Sequence, residues 1–145
     1  MGVLFTDSIT IYNHSLDENG MDMWVGQVIK GVQWAHRRKE FVIGGNVTSE
    51  NYFESLTFDF DRDYGNVPFV DPVDYAKLSD SEKADVWTLN TDGSDIVVLG
   101  ECDEAVTGGA SIDTIKESYQ YVGTVTGATD NRNRPRLRTI KAVVK

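Results

Sequence analysis

Ser94-Asp95-Ile96-Val97-Val98-Leu99-Gly100 opens the stretch that decides how this chain folds, and the reading runs from there to Lys145. The apolar run Ile96–Leu99 has the length and composition of a strand. A Gly-rich turn at Gly108-Gly109 follows, and then a helix-like segment from Ser111 to Tyr119. Ser111 can cap the first free backbone N–H groups and Asp113 suits a first turn. Ile112, Ile115 and Tyr119 fall at i, i+3 and i+7, which gives one apolar stripe to lay against a sheet. Two β-rich runs close the chain, Tyr121 to Thr126 and Leu137 to Val144, joined by Thr129-Asp130-Asn131-Arg132-Asn133-Arg134-Pro135. The order is strand, helix, hairpin.

Upstream, Ser8 to His14 alternates, with Ile9 and Ile11 on one face and Thr10 and Tyr12 on the other, as in a half-buried strand. Asn19-Gly20 permits positive φ at both central positions of a turn, so a hairpin closes there onto Met23-Trp24-Val25 and Val28-Ile29. Gly31 to Val42 carries Trp34 and the basic patch His36-Arg37-Arg38-Lys39 before Phe41-Val42-Ile43 restores a strand pattern, which Gly44-Gly45-Asn46 ends. From about 45 to 91 the chain makes a long excursion read as a projecting loop. Within it Leu56, Phe58 and Phe60 alternate with Thr57, Asp59 and Asp61, which is strand patterning. Asp71-Pro72 puts proline at a first helical position, and Ser79-Asp80-Ser81-Glu82 has capping-box spacing. Phe69, Tyr75, Leu78 and Trp87 would pack this region. At 145 residues the chain is read as one domain, 1–145, mainly β with short helices.

The opening residues Met1 to Asp7 hold no basic region and no long apolar run, so neither a secretory signal nor a membrane span is expected, and synthesis in the cytoplasm is. The net charge of −9 is unevenly spread. Residues 121–145 hold six of the 14 Lys and Arg but one of the 23 Asp and Glu, a net of +5 against −14 for the first 120 residues. Such polarity suits head-to-tail contact between like subunits, because a positive edge steers onto a negative one.

Signals for chemistry are few, and no enzyme is expected. Asp59, Asp61, Asp63 and Gly65 invite comparison with a calcium loop, but the sixth position from Asp59 is Tyr64 and the twelfth is Val70, where Gly and Glu are required. Cys102 has Glu101, Asp103 and Glu104 as neighbours, which works against thiolate formation and favours a structural thiol. His14 and His36, even with Cys102, make no convincing zinc set. Asn46-Val47-Thr48 matches a glycosylation sequon that a chain without a secretory signal does not use. No cofactor and no metal are expected. Arg132, Arg134, Arg136 and Arg138 are the candidate partner-binding residues. The last three are spaced by two, so on a strand they would project together, and guanidinium forks match carboxylates and phosphates. The acidic total and the absence of an aromatic between Tyr121 and Lys145 argue for an acidic protein surface over nucleic acid.

Phe5-Thr6-Asp7-Ser8-Ile9-Thr10-Ile11-Tyr12-Asn13, Val28-Ile29-Lys30-Gly31-Val32-Gln33-Trp34, Asp95–Glu101, Ser111-Ile112, Tyr121–Val125 and Asp130-Asn131-Arg132 come in an order that resembles the minor capsid and head–tail connector (neck) proteins of tailed phages and prophages of Gram-positive bacteria. The resemblance covers about the first 35 and last 50 residues. It implies a small β-barrel or sandwich with one packed helix, assembled as a homo-oligomeric ring in the virion against portal, tail or other neck proteins. The 45–91 region would be the projecting element, and DNA would be met only where it passes through a channel. It carries over no catalytic residue. A second reading from the residues is a small β-barrel that binds nucleic acid or another ligand through the basic hairpin around 132–138.

Overall fold

Six antiparallel strands close into a barrel in the computed structural model, which describes residues 6–43, 46–107, 109–119 and 121–145, and for 36–43, 46–53 and 109–110 only the backbone course. In chain order they are β1 (Asp7–Leu16), β2 (Asp22–Ile43), β3 (Asn46–Asp59), β4 (Ile96–Leu99), β5 (Val122–Asp130) and β6 (Thr139–Val144). Around the ring the order is β1-β2-β3-β6-β5-β4, with β4 pairing back onto β1. Helices α1 (Pro72–Tyr75) and α2 (Asp80–Lys83) lie between β3 and β4, and α3 (Gly109–Ser118) between β4 and β5. The expectation of a mainly β fold with short helices is met, and of the barrel and sandwich it left open the chain forms the barrel.

The alternation read in residues 8–14 sorts two layers. Ile9 and Ile11 join Ile29, Leu56, Phe58 and Val97 inside the barrel. Tyr12 joins Ile96, Val98, Cys102, Val106 and Ile115 in a second cluster outside it, with Ile112 and Tyr119 of α3 packed against it. β1 and β4 are therefore covered on both faces, and that is why Ile96–Val98 is apolar without interruption. α3 starts two residues earlier than its sequence suggests. Ser111 lies inside it, its Oγ accepting from the Thr107 N–H at 3.3 Å, and Asp113 falls beyond the first turn.

The first hairpin closes as expected but by a different turn. Only Gly20 takes a positive φ, 78°, and the Asp17 carboxylate accepts the N–H groups of Asn19 and Met21 at 2.8 and 2.9 Å. β2 then runs unbroken through Gly31, which bulges out between the pairs Asp7↔Val32 and Ser8↔Lys30 at φ 73°. The Tyr64 ring lies against this glycine; a Cβ there would come within 2.4 Å of it. Both the backbone angle and the ring demand glycine.

β3 lengthens the strand read around Leu56 and Phe58 within the 45–91 excursion: residues 46–59 pair with β2, and 54–59 also pair with β6 as part of the barrel. The rest of that stretch lies over the barrel. Trp87 and Leu89 are in its core, Val70 N–H donates to the Trp87 carbonyl at 2.9 Å and Trp87 N–H to that of Pro68 at 3.0 Å. α1 begins with Pro72 as read, and Ser79 and Glu82 make the reciprocal capping box that starts α2. What runs beyond the barrel is a ribbon. β6 pairs with β3 only as far as Glu54↔Val144, whereas β2 and β3 stay paired to Ile43↔Asn46. At roughly 3.3 Å per residue, strand 36–43 extends about 25 Å with no third strand from the described residues beside it.

Candidate interaction surface

The four candidate arginines are on a loop, not a strand, because β6 begins only at Thr139. They divide into anchors and free ends. Arg132 meets Asp130 through Nε at 2.9 Å and Nη2 at 2.7 Å, and Asp71 through Nη2 at 2.9 Å, while its guanidinium lies 4.6 Å over the Phe69 ring. Arg138 donates its N–H and Nε–H to Asp61 at 3.1 and 3.0 Å and Nη2–H to the Phe60 carbonyl at 3.1 Å. Arg132 holds the Asp130 carboxyl below the usual range, and Arg138 does the same for Asp61. Arg134 and Arg136 are exposed. Between the anchors Leu137 takes φ 56°, a left-handed backbone that costs a leucine energy, and leaves 51% of its surface exposed.

The carboxylates of the 59–63 region are thus occupied within the protein. Asp59 accepts the Tyr64 hydroxyl at 2.6 Å and Asp63 the Gly65 N–H at 2.8 Å. Among the described residues no three His, Cys, Asp or Glu are grouped to hold a metal ion. The same segment walls a cleft of about 270 Å³, lined by Phe58, Phe60, Phe69, Tyr64 and Trp87 with Lys30, Arg62 and Arg132 at its edge. Asn66 fixes it by pairing with both the N–H and the carbonyl of Lys30, at 2.8 and 2.9 Å.

Cys102 and His14 have separate partners. The Cys102 sulfur is 3.1 Å from the Tyr12 hydroxyl, which donates to the Glu104 carbonyl at 2.6 Å, and burial pushes the Tyr12 phenol upward. His14 Nε2 is 2.8 Å from Asp22, and its ring lies 5.0 Å from that of Trp24. The side chain of His36 is outside the described residues. Beside Cys102 runs a second groove, about 550 Å³, between β2 and residues 102–107. Tyr12, Trp24, Gly26 and Val28 form its floor, and Asp22, Asp103 and Glu104 its rim.

Sequence reading missed Asp95, which is fully buried. Four N–H groups donate to it: His14 N at 2.8 Å, Asn90 N at 2.7 Å, Asn90 Nδ2 at 2.9 Å and Asn13 Nδ2 at 2.9 Å. Burial pushes its carboxyl upward and these donations oppose that. Tyr75, 2% exposed and pushed up to about 12 by burial and by Asp95, stands near it with no partner for its hydroxyl among the described residues. Asn13 ties β1 to Thr88 in both directions, at 2.7 and 3.0 Å. The group is a structural lock between β1 and the 60–95 connection; an Asp before an apolar run, with Asn13 and Asn90 elsewhere, leaves no local signal for it.

No helix among the described residues is long and apolar enough to cross a membrane. The model of a family of unknown function (DUF6751) matches residues 4–143. No curated protein and no solved structure matches the chain.

Proposed function

Because the chain belongs to DUF6751, a family of unknown function, we propose its role from its own geometry: it is a structural protein of the phage head–tail connection that assembles into a ring and docks on its neighbours in the virion. The observation that carries this is the β2–β3 ribbon. A closed barrel leaves no sheet edge to pair, yet two strands continue past it, and over 36–43 and 46–53 no strand among the described residues pairs with either outer edge. Unpaired strand edges are templates for another chain, and soluble monomers usually blunt them. The split of +5 and −14 along the chain adds long-range steering between copies. The resemblance in the order of segments supplies the setting, with portal, tail or other neck proteins as partners and the host cytoplasm as the place of synthesis.

Light scattering after size exclusion, at low and high salt, alone and with portal and tail proteins, tests the reading. Oligomers or complexes that weaken with salt are expected. A variant joining Ala35 to Ser55 through Asn-Gly should keep the barrel and lose assembly. A wild-type monomer that ignores those partners at every salt concentration overturns the proposal.

One observation favours a second reading, a ligand-binding barrel. Arg132 lies over Phe69 and Phe60 at 4.6 and 5.7 Å, at the edge of the aromatic cleft that also takes Lys30 and Arg62. Stacking faces next to cations suit a single-stranded oligonucleotide. Quenching of Trp87 on titration with one, with a steep salt slope, would select this reading; assembly is preferred because Asp130 and Asp71 already neutralise Arg132.

A further inference from the structure

We propose that Arg134-Pro135-Arg136-Leu137 is a plug that seats in the acidic-rimmed groove between β2 and residues 102–107 of a second copy of this chain. This rests on the assembly role above and names the two surfaces that meet.

The plug is built to be presented. Its two ends are pinned, by Arg132 to Asp130 and Asp71 and by Arg138 to Asp61 and the Phe60 carbonyl. Between the pins Arg134 and Arg136 have no side-chain partner among the described residues, and Leu137 is held in a left-handed backbone with half its surface in water. A strained conformation that turns an apolar side chain outward gains nothing for the monomer. It gains once the leucine is covered.

The groove has the complementary chemistry. Its floor offers Trp24 and Val28, the latter 36% exposed, over the Tyr12 ring, and it has depth because Gly26 brings no side chain. Its rim carries Asp22, Asp103 and Glu104, and a continuation past Val28 reaches Glu101. Leucine on the floor and two guanidinium groups against that rim match apolar to apolar and plus to minus. None of its walls comes from residues 131–138 of the same chain. Plug and socket are different surfaces, so the contact is heterologous and each copy passes a plug to the next, the geometry from which rings are made.

The test is sedimentation of full-length protein, wild type against Arg136→Glu, Leu137→Asp and Asp103→Lys/Glu104→Lys. Each should weaken self-association about tenfold or more, with unchanged circular dichroism and no loss of melting temperature, since all four positions are exposed and Asp tolerates the left-handed backbone at 137 better than Leu. An equimolar mixture of Arg136→Glu with Asp103→Lys/Glu104→Lys should regain mixed dimers. Variants that associate as tightly as wild type overturn the plug while the ribbon-based assembly stands. A wild type that is monomeric alone and with portal or tail proteins overturns both. A wild type monomeric alone, whose binding to a portal or tail protein is lost in Leu137→Asp, overturns the second copy as occupant.

Discussion

Asp95 and Asp61 are both carboxylates that fasten a connection to the barrel, but Asp95 is fully buried and meets only N–H dipoles, whereas Asp61 meets the guanidinium of Arg138 at the surface. The Asp95 group joins β1 to residues 88–95 through Asn13 and Asn90 and holds no cation to exchange. The Arg132–Arg138 loop is pinned by ion pairs whose members keep part of their surface in water. Buried dipoles fix an architecture; exposed ion pairs hold a loop in place under conditions that salt and acid can change. The lesson is that the rigid end of the molecule belongs to the fold and the adjustable end to its contacts.

Four experiments would break or sharpen this contrast. Asp95→Asn turns one acceptor oxygen into a donor facing N–H groups, and should cost about 3 kcal/mol in urea unfolding; a neutral result would mean that the lock holds nothing. Gly31→Ala forces an unfavourable φ and displaces Tyr64 from the bulge, for about 2 kcal/mol by the same measurement, together with loss of the Tyr64–Asp59 bond visible in the tyrosine spectrum. Arg132→Gln should cost less than about 1 kcal/mol, because its partners are half exposed, yet it should sharply raise proteolysis within 131–138. Equal proteolysis would show that the loop needs no anchor.

The smallest effect concerns acid. Asp61 and Asp130 are held below their unfolded range by Arg138 and Arg132, so what they contribute is present above about pH 4 and is lost as pH falls through their lower folded values. Asp95 is shifted upward by burial, so the folded state binds its proton more readily than the unfolded chain does, and its contribution moves the opposite way. The amide resonances of Arg132 and Arg138 should therefore titrate below the ordinary aspartate midpoint. Those of His14 and Asn90 should respond at higher pH, and a common midpoint would erase the distinction.

Much of the barrel was legible because period-2 patterning reports burial directly. Ile9 and Ile11, the run Ile96–Leu99, the Ile112/Ile115/Tyr119 stripe and the Ser79 capping box are all local patterns. β2 was not legible as one strand, since Gly31 looks like a breaker until Tyr64, far along the chain, is seen to fill the bulge. Arg134, Arg136 and Arg138 looked like a strand face by spacing alone, but Asp61 accepts the N–H of Arg138 and Leu137 turns left-handed, so the run bends. Trp87 reads as loop packing because its core neighbours, Phe58 among them, come from distant strands; the Phe58 and Trp87 rings lie 4.9 Å apart.

The place of β6 in the ring has a consequence for biogenesis. It lies between β3 and β5, so while the chain is emerging from the ribosome β3 has its partner on one side only, and everything from residue 60 to 138 must be made before the gap is filled. Until then Leu56 and Phe58 face an unfinished interior. A holding chaperone acting on the nascent chain would find its longest window there, and a premature stop before Thr139 would release an open sheet.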